Sequence, residues 1–423
     1  MKCNNKFLYY LALLLPIFFG GCSKEDVELP DLQKETRYVS STLKVNYCGV
    51  EMPGKSVTLI PSADGNLNNV VLKCEGATDF SLLSSIGMSG FGPAPGIVPG
   101  CPVVELPISL VAKDKGYTFS GQKSTETCNF NYSGVITESL LTLNIDDVTL
   151  SNKTLAGSVW KPMPFSQSGM SVTSIPFYLL WEVDPSAGID IDLTALLKLI
   201  VTAPIIPTYH DTAYSSLSQL LSNSLQTIAF LENGNVIVRY FSPVGGATQL
   251  VTSQAPSIQY VVNSPSEILL YPNPTSVFGL WLVAQSDSSD IPDISFKKRR
   301  NEQESLDEEK ADSIKEALLP LIKEVIPVIL GMCRDGIPLQ ISMTQTETNV
   351  YLDTRTILMF LNQLAVIVAD HPEIIEKLLG NIANSDQIAE LIPQIQQILP
   401  KLETILEKTT RIEVGLRLLP YKD

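Results

Sequence analysis

The stretch "CNFNYSGVITESLLTLNIDDVTL", residues 128–150, decides what kind of protein this is. Cys128, Phe130 and Tyr132 alternate with Asn129, Asn131 and Ser133, and Leu141, Leu143 and Ile145 alternate with Thr142, Asn144 and Asp146. Successive side chains of a β-strand point to opposite faces, so each alternation is a strand with one buried face. The same period holds upstream, where Leu43, Val45 and Tyr47 alternate with Lys44 and Asn46. Turn-forming clusters separate the strands: "SADGN" at 62–66, "KDKG" at 113–116, "DD" at 146–147 and "SNK" at 151–153. Strands so spaced, with no helix between them, predict an antiparallel meander over 37–165, closed into a barrel or a sandwich. The exception is "GMSGFGPAPGIVPGCP" at 87–102, an irregular loop long enough to be either functional or mobile.

Downstream, over 166–423, the pattern becomes α+β. "IDIDLTALLKLIVTAP" (189–204) and "AYSSLSQLLSNSL" (213–225) read as short helices. "QTIAFLENGNVIVRYF" (226–241) reads as a hairpin turning at "ENGN", and "SIQYVVNSPSEILLYP" (257–272) as a second. A polar linker near 286–313 ends in "SLDE", a capping-box sequence that opens a helix. Helices follow near 306–333, 354–370 and 385–408, with a strand pair around 337–353 and a last strand, "TRIEVGLRLLP", at 410–420. "ALLPLIKEVIPVIL" (317–330) matches "ELIPQIQQILPKLE" (390–403), aligning Pro320 with Pro393 and Pro327 with Pro400. Prolines two turns apart bend a helix twice on nearly one face. The expectation is a pair of Pro-kinked amphipathic helices, packed on a sheet as core or bordering a cavity for an apolar ligand.

Met1–Gly21 has the zones of a secretory signal: Lys2 and Lys6, the apolar Phe7–Phe19, then Gly20–Gly21. Its apolar run is shorter than the roughly 20 residues a membrane span needs. The chain continues "IFFGGCSKEDVE" at 17–28, with Cys22 directly after two small residues and Lys24, Glu25, Asp26 and Glu28 in a tether over 22–36. With 30 basic against 45 acidic residues the formal charge is −15, which argues against nucleic acid, whose binding rests on basic patches. The "KKRR" at 297–300 is followed at once by acidic residues and reads as a solvated linker.

Cys48, Cys74, Cys101 and Cys128 fall in the β region at near-equal spacing. In an exported protein they could form two disulfides in any of three pairings, or stay as buried thiols. Cys333 ends an apolar helix and reads as a core thiol. With no C-x-x-C and only His210 and His371, zinc has little to bind, and no cofactor is expected. No nucleophile elbow, H-E-x-x-H or P-loop is present, and "GFGPAPG" (90–96) has Pro95 at the third glycine of a phosphate loop. "TYHD" (208–211) places His210 beside Asp211, a spacing that does not orient an imidazole, so no catalytic residue is assigned. Trp160, Trp181, Trp281, Tyr178, Tyr240 and Tyr271 could make a sugar-stacking platform, but at strand spacing they read first as core.

"FGGC" at 19–22 resembles the bacterial lipobox, and "SKED" at 23–26 resembles the acidic export tag of surface lipoproteins in Bacteroidetes. "DTA" (211–213) and "DSI" (312–314) are similar to the O-glycosylation tripeptide of that phylum, while "YPNP" (271–274) is better read as a turn. With the β region, the chain resembles uncharacterised Bacteroides-type surface lipoproteins, some of which carry calycin-like (lipocalin-like) β-barrels. That resemblance implies diacylglycerol on Cys22, an acylated amino group, and outer-membrane anchoring facing the cell exterior. It implies a small apolar or amphipathic ligand in a barrel mouth. The resulting expectation is a lipid-anchored, non-catalytic protein that binds a lipid or a glycan. The alternatives are a structural or docking subunit beside an outer-membrane protein partner, and an unrecognised hydrolase.

Overall fold

The structure, a computed structural model, describes residues 29–77, 95–169, 171–204, 206–207, 214–244, 247–274, 328, 331–370 and 391–421. Leu141, Leu143 and Ile145 are wholly buried, as the alternation requires, and so is Tyr47. Fully burying side chains of this size stabilises by about 1.5–3 kcal/mol each. They belong to a six-stranded sheet ordered Val50–Glu51, Leu43–Tyr47, Leu141–Leu150, Cys128–Thr137, Gly116–Ser124, Val111–Lys113. A four-stranded sheet, ordered Thr36–Val39, Lys55–Ile60, Val70–Gly76, Val103–Ile108, lies against it. Leu59, Leu72 and Leu106 of the smaller sheet share one core with Tyr47, Ile136 and Leu143 of the larger. The Tyr132 hydroxyl crosses between them to donate to the Pro107 carbonyl.

This is a sandwich, and two sequence readings change with it. Leu43–Tyr47 pairs parallel to Leu141–Leu150, so the expected meander is split: Lys55–Ile60, Val70–Gly76 and Val103–Ile108 run antiparallel in the smaller sheet, and the four strands from Val111 onward do so in the larger. The "DD" turn signal is not a turn: register shifts between Asp146 and Thr149 while the strand runs on, with Asp147 at φ 51°. An extra residue forces such a bulge, and Asp tolerates the left-handed conformation.

The described part of the 87–102 loop is packed. Ile97 and Val98 are buried, and the buried Lys55 Nζ donates to the carbonyls of Pro95 (2.7 Å) and Gly96 (3.0 Å).

A ten-stranded antiparallel sheet makes up most of the rest. Its path runs Ala247–Thr252, Val236–Val244, Leu225–Phe230, Ser158–Pro162, Thr409–Pro420, Thr348–Leu352, Ile337–Met343, Glu267–Pro272, Ile258–Ser264, with Phe177–Val183 also paired to Thr409–Pro420. The sheet curls into a half-barrel, and the turn ahead of Val236–Val244 meets the far strand Ile258–Ser264. Asn235 bridges to Gln259, and Tyr260 N donates to the Gly234 carbonyl at 2.8 Å. Both expected hairpins are present, the first turning through Gly234 at φ 81°. Phe230, Tyr260 and Ile268 join the sandwich core, and the Tyr47 hydroxyl donates to the Asn233 carbonyl.

Helices Leu193–Thr202 and Leu217–Ser224 form where expected, capped by Asp192 and by a Ser216/Gln219 capping box. Leu193, Leu196 and Ala203 make a second core with Ile398 and Ile405. Helix Leu391–Ile398 passes into a 3-10 turn at Leu399–Lys401, which holds Pro400, and resumes as Leu402–Lys408. Its counterpart with Pro320 and Pro327 lies outside the described residues, as do residues 1–28, the "TYHD", "DTA" and "DSI" segments, Trp281 and "KKRR". Among the described residues no helix is long and apolar enough to cross a membrane.

Candidate functional site

The final strand carries the chemistry. Arg411, Glu413, Gly415 and Arg417 fall at every second position of Thr409–Pro420 and so share one face, while Ile412 and Leu418 are buried on the other. Gly415 is in register with Tyr178 on one neighbouring strand and Tyr351 on the other. With no side chain between them, the two rings close to 4.8 Å between centroids at an interplanar angle of 39°. A Cβ on Gly415 would lie 2.1 Å from the Val350 carbonyl oxygen and 2.4 Å from Tyr351 Cα. The absence of a side chain is what permits the tyrosine pair.

Arginine–carboxylate forks flank that pair. Arg411 donates from Nε and Nη2 to the two oxygens of Glu413 at 2.9 and 3.0 Å, and the Tyr178 hydroxyl donates to the same carboxylate at 2.9 Å. Burial, then this bond to Glu413, pushes the Tyr178 hydroxyl up to about 12, so it remains a donor at any physiological pH. Further along, Arg417 donates from Nε and Nη2 to both oxygens of Glu347 at 2.8 Å. That fork holds the Glu347 carboxyl below its ordinary range. Such bidentate geometry locks both side chains in place.

A cleft of about 590 Å³ opens beside these groups. Tyr178, Asn349, Glu347 and Arg417 line it from the sheet, and Val172, Thr173, Ser174 and Ile175 from the approach to strand Phe177–Val183. Ala195, Lys198, Leu199 and Thr202 line it from the helix, at spacings that place all four on one stripe. The helix is tied to the sheet edge by Thr194, whose hydroxyl accepts from Trp181 N (2.8 Å) and donates to the Trp181 carbonyl (3.1 Å). Asn349 Oδ1 is enclosed and has no hydrogen-bond partner among the described residues. The Lys198 amine makes no hydrogen bond or ion pair among the described residues. A cleft of this size, part apolar and with a few fixed polar groups, suits a small ligand. A second hollow of about 320 Å³ lies between Ser120, Ser133, Gln122, Asn131 and Asp146, with no apolar wall apart from the Tyr132 ring.

Among the described aromatic residues singled out in the sequence, Tyr178 alone lines the cleft. Trp160 packs against the main core, Trp181 against the helical core, and Tyr271 is buried. Cys48, Cys74, Cys101 and Cys128 stand as thiols, with Cys74 and Cys128 buried. Thr127 Oγ1 lies 3.6 Å from Cys101 Sγ and 3.9 Å from Cys128 Sγ, which brings those two to one end of the sandwich. Burial pushes the Cys333 thiol up to about 11. Among the described residues no cluster of His, Cys, Asp and Glu could hold a metal.

Lys198, Glu347, Asn349, Gly415 and Arg417 were not anticipated from the sequence. The available signal was the last strand, where charge recurs at every second position against an apolar opposite face. The other charges of the site come from segments distant in the chain. Comparison with known proteins finds no matching family model, no matching curated protein and no matching solved structure.

Proposed function

We propose that this chain is a lipid-anchored envelope protein that binds a glycan, without turning it over, in the cleft beside Tyr178. The carrying observation is the Tyr178–Tyr351 pair flanked by two arginine–carboxylate forks. Tyrosine rings offer an apolar face to the C–H side of a sugar, and locked planar groups around them address its hydroxyls. Binding is favoured over hydrolysis because a glycosidase needs one carboxyl that stays protonated near neutrality. Glu347 is held in the opposite direction by Arg417. A calycin-like relationship belongs to this proposal too; the curled ten-stranded sheet supports it better than the sandwich does.

Calorimetry against a panel of neutral and acidic oligosaccharides tests the reading. Binding should appear, and Tyr178→Ala should weaken it about tenfold or more, the loss expected of a central contact residue. If the oligosaccharides leave the protein unaffected while a fatty acid binds, the ligand is apolar and the glycan reading is wrong. For the anchor, Cys22→Ala should move the protein from the membrane to the soluble fraction, since two or three acyl chains hold a domain that no chain would. Unchanged membrane association would remove Cys22 as the attachment site.

A further inference from the structure

We infer that the glycan is acidic: the cleft is built for a uronic-acid-bearing oligosaccharide whose carboxylate meets Lys198. This rests on the glycan reading above and adds the charge of the ligand. Among the described residues three ionic side chains line the cleft, Lys198, Arg417 and Glu347. Arg417 and Glu347 neutralise each other through two 2.8 Å bonds. That leaves Lys198 as the cleft's unbalanced charge, on a chain whose formal charge is −15. On the helical stripe it stands between the apolar Ala195 and Leu199 on one side and the Thr202 hydroxyl on the other.

The rest of the lining agrees with a hydroxylated anion. Thr173 and Thr202, whose hydroxyls donate to the Ser166 and Lys198 carbonyls, can accept from sugar hydroxyls, and Ser174 adds a hydroxyl able to donate or accept. The overall negative charge repels an acidic ligand at long range, but salt screens that repulsion beyond about 8 Å. A charge-assisted contact with Lys198 acts at hydrogen-bond distance and survives the screening.

The test compares trigalacturonic acid with its fully methyl-esterified form, which keeps the skeleton and loses the charge. Titrated against the full mature chain, the acid should bind at least about tenfold tighter, the value of one hydrogen bond to a charged group. Lys198 is exposed, so its variants should fold normally. Lys198→Gln should remove the preference and Lys198→Arg should retain it, while Tyr178→Ala should weaken both ligands alike. Equal binding of acid and ester, or an unchanged preference in Lys198→Gln, overturns the acidic assignment and leaves the glycan reading standing. Failure of both uronides and of all neutral oligosaccharides overturns the two together.

Discussion

Gly415→Ala should unfold at markedly lower urea than the parent protein and should bind no ligand in the cleft. The added methyl group would lie 2.1 Å from the Val350 carbonyl oxygen, 2.4 Å from Tyr351 Cα and 2.5 Å from Tyr351 Cβ. Two of these atoms are backbone, in a strand hydrogen-bonded on both edges, to Thr409–Pro420 and Ile337–Met343. No rotamer change can relieve them. The strands must separate locally, so the cost belongs at the upper end of the usual overpacking range, about 3 kcal/mol. Separation also pulls Tyr351 from Tyr178 and disturbs the bond from Tyr178 to Glu413. Urea denaturation at neutral pH, with titration of an oligosaccharide that binds the parent, measures both effects. A variant with the parent's midpoint and affinity would show that the close approach at Gly415 is not what builds the site.

The same residue shows why the site was only half legible in the sequence. Alternation at 43–47, 128–133 and 141–146 is a local signal, set by the pleat of a single strand, and those strands appear with the predicted faces buried. Helices Leu193–Thr202 and Leu217–Ser224 are equally local, each opened by its own cap. Partner choice is not local. Nothing in residues 43–47 announces that they pair parallel with residues 141–145. The tyrosine pair likewise depends on a register shared by strands from three distant segments, 177–183, 348–352 and 409–420. Within the last strand, Arg411, Glu413 and Arg417 could have been read as one polar face against Ile412 and Leu418. A glycine inside a strand is on its own a weak point, and only the register with Tyr178 and Tyr351 shows that it admits the rings. In the loop at 87–102, glycines and prolines forbid regular structure, and no local signal shows what its described part, 95–102, packs on: Ile97 and Val98 are buried there, and Lys55 binds the Pro95 and Gly96 carbonyls.

That lysine should make the stability of the whole molecule depend on pH. Lys55 is 4% exposed and has no carboxylate within ion-pair distance among the described residues; its partners are the Pro95 and Gly96 carbonyls. Burial penalises the ammonium and lowers its pKa to about 7, against an ordinary value of 10.5. Between those two values the unfolded chain keeps a proton that the folded chain has released. Unfolding therefore takes up a proton, and stability rises with pH across that window. The slope is about 1.4 kcal/mol per pH unit, so the gain from pH 7 to pH 9 is about 2–3 kcal/mol. Below pH 7 both states are protonated and the slope vanishes. The buried thiols Cys74 and Cys128 act in the other direction at higher pH, because burial raises them above their unfolded values. The comparison that isolates Lys55 is thus parent against Lys55→Met, by urea denaturation at pH 6.5 and pH 9. The parent should gain stability between the two and the methionine variant should gain little. Methionine also leaves the Pro95 and Gly96 carbonyls without their donor, which lowers the variant's stability at both pH values but not its slope. If the two proteins show the same slope, the Lys55 amine is not linked to folding, and its bonds to the loop hold the amine charged at neutral pH.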